Sequence, residues 1–393
     1  MSETRTAETA PAPAASSLPR DEPRGSLLEA QFRKSLPPQG HEFVLDVEVR
    51  AEPGFTILFG PSGAGKTTLL DCVAGLAWPD SGRIAIGGRI LFDAARGTDI
   101  PISKRHVGYV FQSLALFPHL TVEQNVRYGL AHAPHAARES SGSAILEAFH
   151  IAHLAPRFPS EISGGESQRV ALARTLVTDP AVLLLDEPLA ALDVATKARI
   201  IDDLRAWNRA HRIPILYVTH SREEVFALGE RVLVLDAGHI VAEGTPHEVM
   251  SAPLHETVAQ LAGFENIFDA VVEAVRPERG TMTCRLKSSD ERPPVLLETP
   301  LVRGGAGAAI RVGIRAGDIL LATAPPVGLS ARNVLPGHIT SLEQRDVIVA
   351  ARVNCRVEME VHLTLAARDS LELGPGKEVW LVIKTHSCHL MQA

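Results

Sequence analysis

The sequence predicts an α/β domain built on a mainly parallel, covered sheet, followed by a small all-β domain of barrel or sandwich type. Three observations carry this prediction. Short apolar runs that read as strands buried on both faces alternate with helical stretches. A Gly-rich turn stands directly between one such strand and a helix. Beyond about residue 264, long helical periodicity nearly vanishes, and short β-rich runs alternate with Gly/Pro turns.

The 393 residues suffice for two or three domains of ordinary size. Residues 1–25, MSETRTAETAPAPAASSLPRDEPRG, read as a disordered N-terminal arm, because Ala, Pro, Ser and Thr bury too little apolar surface to order it. The arm also lacks the apolar core of a secretory signal. Phe43 to Val49 alternates apolar and polar residues as a half-buried strand does. FTILF, Phe55 to Phe59, is a continuous apolar strand that leads into the Gly-rich turn and the helix KTTLLDCVAGL. Further buried strands are expected at His106 to Phe111, Ala181 to Asp186, Pro214 to Thr219 and Arg231 to Asp236. Helices at GESQRVALARTLV and KARIIDDLRAWNRAH fall between several of them. The α/β domain is thus expected over 26–263, with a junction near Gly263 to Asn266 and a β-rich region over 264–393. There IFDAVVEAV, TMTCRL, AAIRVGI and VWLVIK read as strands, with PGHI and LGPGKEV as turns.

Composition excludes several classes. With 45% hydrophobic and 22% charged residues the chain can bury a sizeable core. A net charge of -7 and a pI near 6.2 argue against a sequence-independent nucleic-acid binder. Mean hydropathy is +0.07, yet no uninterrupted apolar stretch is long enough to cross a bilayer. Cys72, Cys284, Cys355 and Cys388 lie far apart, without metal-ligand spacing, and read as free thiols of a reducing compartment. Disulfide scaffolds and collagen-like chains are excluded.

The chemistry begins at Gly60-Pro61-Ser62-Gly63-Ala64-Gly65-Lys66-Thr67, a GxxxxGK[ST] loop between strand and helix. Its glycines let successive N–H groups curl round phosphates, and the helix N-terminus adds a favourable dipole. Lys66 is expected to reach the phosphates and Thr67 to place its hydroxyl on Mg²⁺. Val182 to Glu187, VLLLDE, delivers two carboxylates at the C-terminal end of a buried strand, where α/β sheets bind ligands. Asp186 suits the Mg²⁺ shell, and Glu187 suits a general base for an attacking water. ISGGESQRVALAR places Ser163, Gly164 and Gly165 at a second helix start, again an anion site. Two phosphate-binding helix ends, about 100 residues apart, exceed what one nucleotide needs. A head-to-tail dimer resolves this, with each nucleotide between the first site of one copy and the second site of the other.

In this order of motifs the chain resembles the ATP-binding subunits of ABC transporters over roughly Leu28 to Met250. The match runs through Gly60 to Thr68 (Walker A), Gln112 (Q-loop), Ile162 to Glu166 (signature), Val182 to Glu187 (Walker B), Ala191-Leu192-Asp193 (D-loop) and His220 (switch). Ile162 and Glu166 stand where the commonest family form has Leu and Gln. The resemblance implies an ABC-type P-loop NTPase fold with ATP and Mg²⁺ as cofactors. It implies that Thr68 joins the ATP-binding loop, that Gln112 touches metal and water, and that His220 holds the water near Glu187. It assigns Ser163, Gly164, Gly165 and Glu166 to the nucleotide across the dimer. Asp193 becomes the link between the two sites, a simple helix N-cap, or both. Phe43 and Phe32 are the candidates for the ring that stacks on adenine. Leu114, Leu116 and Phe117 either fold into the core or form the groove for a permease's cytoplasmic helix.

The tail narrows the class towards importers. Ser330 to Gln344 and Leu371 to Ser387 resemble a molbindin-like, OB-type regulatory domain over about 330–390. By that resemblance Ser330, Arg332, Asn333, Lys384, Thr385 and Ser387 form an oxyanion site for molybdate or tungstate. The whole looks most like the ATPase of molybdate importers: a homodimer on the cytoplasmic face of the inner membrane. It would serve two integral-membrane permease subunits and, through them, a periplasmic binding protein. An ATPase of a sulfate, iron, polyamine or sugar importer is the alternative, and a non-transport ABC ATPase the more distant one.

Overall fold

A computed structural model describes residues 26–36, 43–131, 134–251, 253, 255–287, 294–302 and 305–392, and the N-terminal arm lies outside them. The chain divides into two compact units, Met1–Pro246 and His247–Ala393.

The first unit opens with β1 (Leu28–Leu36), β2 (Phe43–Ala51), β3 (Gly54–Phe59), α1 (Lys66–Ala74), β4 (Ser81–Ile86), β5 (Arg89–Asp93) and β6 (Thr98–Asp99). It continues with β7 (Val107–Val110), α2 (Val122–Tyr128), α3 (His135–Ala148), α4 (Gly164–Leu176), β8 (Val182–Asp186) and α5 (Val194–His211). β9 (Pro214–Val218), α6 (Arg222–Leu228), β10 (Arg231–Asp236) and β11 (His239–Gly244) complete it.

One sheet has the order β11-β10-β3-β9-β8-β7. Its strands from β10 to β7 are parallel, and β11 is an antiparallel edge. Every residue of β3, β8 and β9 is buried, as continuous apolar runs require of strands covered on both faces. A second sheet, β2-β1-β4-β5-β6, is antiparallel and was foreshadowed only by the alternation at Phe43 to Val49. Helix α1 packs between the two. Leu28, Phe32 and Leu45 of the antiparallel sheet share one core with Leu69, Leu70 and Val73 of α1 and with Leu184, Leu216 and Leu233 of the parallel sheet. Each such side chain contributes about 1.5–3 kcal/mol.

The C-terminus of α1 is closed by two devices. Gly75, at φ 86°, donates its N–H to Asp71 O and Cys72 O. Arg105, 1% exposed, donates to the carbonyls of Cys72 (3.1 Å), Val73 (3.0 Å) and Ile100 (2.8 Å), and pairs with Asp99 at 2.8 Å. A Cβ on Gly75 would lie 2.6 Å from the guanidinium carbon, so glycine is needed there for space as well as for its dihedral angle.

The second unit begins with α7 (Pro246–Ser251), which starts at the division, and α8 (Glu256–Leu261). Strands β12 (Asn266–Arg276), β13 (Thr281–Leu286), β14 (Leu296–Pro300), β15 (Ala309–Ile314) and β16 (Leu320–Ala322) follow. β17 (Asn333–Arg345), β18 (Ile348–Asn354), β19 (Glu358–Thr364), α9 (Leu365–Ser370), β20 (Glu378–Ile383) and β21 (His389–Gln392) end the chain. Two five-stranded antiparallel sheets, β14-β13-β12-β15-β21 and β16-β20-β17-β18-β19, share a single core. The helices before β12 are tied to this β unit. Arg311 binds Glu256 at 2.6 Å and Asp269 at 3.0 Å, and Arg315 donates to Met250 O at 3.0 Å.

One expected turn is a strand. Pro336 and Gly337 of PGHI lie inside β17, which pairs with β20 over Asn333 to His338 and with β18 from His338 onward. Pro336 therefore sits where the strand has a partner on one side, and a missing N–H is tolerated there. Gly337 is needed because a Cβ would come within 2.8 Å of Asn354 O. All four cysteines are free and buried, and burial pushes the Cys72 and Cys388 thiols up to about 12. Among the described residues no helix is long and apolar enough to cross a membrane.

Candidate functional site

Four neighbouring parallel strands, β3-β9-β8-β7, end at one edge of the sheet. The segments that leave them carry the loop Gly60–Thr68, His220, Glu187 and Gln112. Residues scattered over 160 positions of sequence thus meet because their strands are adjacent and parallel.

The loop after β3 turns on Gly60, Gly63 and Gly65, with φ of 154°, 80° and 103°. Gly60 passes so close to β10 that a Cβ would lie 2.1 Å from Leu235 O. Ser62, Gly63 and Thr67 are exposed on the rim, Pro61, Gly65 and Thr68 are half-buried, and Ala64 is in the core. Lys66 is 8% exposed and donates its Nζ to Gly60 O at 2.9 Å and Pro61 O at 2.8 Å. Burial lowers its pKa, while Glu187 and Asp186 pull it back upward. Neutral carbonyls are weak partners for a buried ammonium, so an anion within the loop would be a stronger one. Phe43 lies half-buried with its ring against Gly65, whereas Phe32 is buried in the core at 2% exposure and offers no face to a base.

At the end of β8, Asp186 accepts a hydrogen bond from Thr67 Oγ1 at 2.9 Å. Burial raises its pKa, the Thr67 bond lowers it, and the adjacent Glu187 raises it further. Glu187 occupies the left-handed region at φ 46° and donates its N–H to Val218 O at 3.1 Å. A non-glycine residue there is strained, and such strain gathers at functional sites. Two groups converge on its Oε2: Gln112 Nε2 at 3.3 Å and His220 Nδ1 at 3.4 Å. A carboxylate held this way beside a phosphate loop can accept a proton from water.

Ser163 N-caps α4 in a capping box. Its N–H and Oγ both donate to Glu166 Oε2 at 2.7 Å, and these bonds hold the Glu166 carboxyl below its usual range. Glu166 thus orders the turn at the start of α4. A Cβ on Gly165 would stand 2.5 Å from Thr196 Cγ2, so α4 and α5 approach through that glycine. Asp193 N-caps α5 by accepting from Thr196 N at 3.0 Å, and the same bonds lower its pKa.

Several supporting residues escaped the sequence reading. Arg174, near the end of α4, donates to Ala115 O at 2.6 Å and Leu114 O at 2.8 Å. Both acceptor residues have positive φ, at 59° for Leu114 and 45° for Ala115, so the guanidinium fixes a strained segment just after Gln112. It also covers the Phe117 ring at 5.4 Å. Asn125, fully buried, binds both the N–H and the C=O of Phe117. Leu114, Leu116 and Phe117 are accordingly half-buried, neither core nor free. Glu224 gathers Tyr217, Thr219 and Lys197 behind His220. Buried polar residues of this kind give no local signal, because their partners lie elsewhere in sequence.

The tail residues are less convergent. Asn333, 4% exposed, clasps β14: its Oδ1 accepts from Glu298 N at 2.6 Å and its Nδ2 donates to Glu298 O at 2.9 Å. Thr385 Oγ1 donates to the Glu298 carboxylate at 3.4 Å. Asn333 is thus engaged with backbone groups, and Thr385 meets an acidic side chain instead of a basic pocket. Ser330, Arg332 and Lys384 are exposed, and Ser387 is half-buried in the short turn after Lys384.

The ABC transporter family matches residues 45–190 and the TOBE domain matches residues 329–390. The molybdenum import ATP-binding protein ModC of Rhizobium etli is 40% identical over 87% of this chain and 95% of its own length. That of Rhizobium meliloti is 39% identical over 91% of this chain and 98% of its own. The molybdate/tungstate import ATP-binding protein WtpC of Pyrococcus abyssi is 38% identical over 87% of this chain and 93% of its own. The chain belongs to the ABC transporter family of ATP-binding subunits.

Proposed function

We propose that this chain is the ATP-hydrolysing subunit of an ABC importer for molybdate. It works as a homodimer on two integral-membrane permease subunits at the cytoplasmic face of the inner membrane, with a periplasmic binding protein acting through them. The observation that carries hydrolysis is the convergence of Gln112 and His220 on Glu187 beside the loop Gly60–Thr68. Molybdate rests on the names of the relatives and on the tail's likeness to an oxyanion-binding domain.

Lys66 and the N–H groups of the loop hold the triphosphate, and Phe43 is placed to stack on the base. Thr67, Asp186 and Gln112 fit a magnesium ion: a hydroxyl and a buried carboxylate 2.9 Å apart, with a second carboxylate adjacent and burial already opposing the charge on Asp186. Such an ion neutralises charge on the phosphates. Glu187 takes a proton from the water that attacks the γ-phosphorus, the new P–O bond forms, and the β–γ bridge breaks to release ADP. His220 and Gln112 keep the Glu187 carboxylate and that water in place. Ser163, Gly164, Gly165 and Glu166 cover the triphosphate held by a second copy. Because burial raises the pKa of Asp186, nucleotide-metal affinity should weaken on acidification at a higher pH than for an exposed aspartate.

ATP binding favours the closed dimer, and Leu114, Leu116 and Phe117 pass that closure to the permease helix. The test is uptake by the chain assembled with permease subunits in proteoliposomes, with the periplasmic binding protein supplied on the substrate side. ATP-driven molybdate accumulation is expected, with sulfate failing to compete. Sulfate carried in place of molybdate would contradict the substrate.

The tail is proposed to bind molybdate or tungstate through Ser330, Arg332, Lys384 and Ser387, with Asn333 and Thr385 bracing them, and to hold the motors apart when the oxyanion is plentiful. Calorimetry on the full chain should show heat with molybdate and tungstate and none with sulfate. Equal heats for all three, or none, would remove that role.

A further inference from the structure

The turn that carries His220 is pinned on both flanks, while the ring itself is 65% exposed. Thr219 Oγ1 accepts from Ser221 N at 3.0 Å, and Ser221 Oγ accepts from Glu224 N at 3.4 Å as the N-cap of α6. Both pins lead to Glu224, which is 3% exposed. Its Oε2 accepts from Tyr217 Oη at 2.9 Å and from Thr219 Oγ1 at 2.7 Å. Its Oε1 pairs with Lys197 Nζ at 3.2 Å. Lys197 stands one helical turn after Asp193 and donates its own N–H to Asp193 O at 2.9 Å. A continuous path of hydrogen bonds therefore runs from the Asp193 cap, through Lys197 and Glu224, to the residues on either side of His220.

A buried carboxylate persists only where its charge and lone pairs are met. This one is met from β9, from the turn after it and from α5, the helix that begins at Asp193. We propose that Glu224 and Lys197 are positioning residues that tie the Asp193 end of α5 to the His220 turn. The strut holds His220 at its place beside Glu187, 3.4 Å away, and a second copy that engages Asp193 acts on that place through it, so that hydrolysis follows closure. The inference rests on the ATPase reading above and deepens it. Neither residue touches the nucleotide, so the strut acts on turnover and leaves binding alone.

Lys197 is the better residue to vary, because its side chain is 22% exposed and its stem can remain. In the purified full chain, Lys197→Met should bind ATP within about twofold of the unaltered protein, while kcat falls about tenfold or more. Lys197→Arg should restore at least half of that loss. Glu224→Gln should lose kcat to a similar extent, and the double variant should be no slower than either single one, since both break one path. If Glu224→Gln fails to fold, Thr219→Val takes its place in the same cycle. A Lys197→Met protein with unaltered kcat, or losses that multiply in the double variant, would overturn the strut. An unaltered chain that binds no ATP would instead overturn the ATPase reading, so the two failures are distinguishable.

Discussion

Replacing Glu187 by Gln should leave ATP bound and lower kcat by roughly 10²–10⁴-fold, the usual share of a positioned general base. The amide keeps the shape of the side chain, and the backbone bond from Glu187 N to Val218 O is untouched. What is lost is a site that can take a proton, at the oxygen on which Gln112 and His220 both converge. Single-turnover measurements should show ATP held and not cleaved. Size exclusion in the presence of ATP should show a dimer that accumulates instead of cycling. Normal turnover would remove Glu187 from its role.

Arg105→Ala should cost about 2–5 kcal/mol of stability through the cavity and the lost donors, the largest expected effect away from the chemistry. The guanidinium is buried and closes the last carbonyls of α1, the helix whose first residue is Lys66. Alanine removes the side-chain donor from the carbonyls of Cys72, Val73 and Ile100, of which Cys72 O keeps the Gly75 N–H, and it leaves a cavity against Gly75, while the exposed Asp99 carboxylate keeps Trp78. Thermal and denaturant unfolding should both report the loss, with hydrolysis per folded molecule little changed below the transition. Unaltered stability would contradict the account of how the phosphate loop is anchored.

The contrast between these two residues shows what a sequence makes legible. Lys66 and Asp186 stand in contiguous strings where strand, turn and helix signals coincide, so their places follow from local rules. Gln112 and His220 carry no such string, and a family resemblance had to supply them. Their meeting at Glu187 depends on the strand order β9-β8-β7, a long-range fact. Arg105, Arg174 and Glu224 were invisible because a buried charge is defined by its partners, up to 60 residues away for Arg174. At Pro336 and Gly337 the local rule misled: the pair marks a change of strand partner, which a single strand's sequence does not reveal. Phe32 and Phe43 are chemically alike, and only burial tells them apart. In the antiparallel sheet only β6, with two residues, is too short for alternation to show; β1 alternates buried and exposed residues over its first six positions, a local signal that went unused.

The claim on which the rest depends is that a working site is shared between two copies. It can be tested by mixing two inactive variants. Lys66→Met spoils the phosphate loop and leaves Ser163–Gly165 intact. Gly164→Asp places a carboxylate where the triphosphate of the other copy would lie, and the nearest atom to a new Cβ, Leu192 Cδ2, is 3.9 Å away, so the fold has room for it. Each variant alone should be inactive. A mixed dimer has one whole site, built from the loop of the Gly164→Asp copy and the helix end of the Lys66→Met copy. An equimolar mixture should regain about a quarter of the unaltered activity. If the Gly164→Asp variant hydrolyses ATP normally by itself, or the mixture stays silent, the shared site is contradicted.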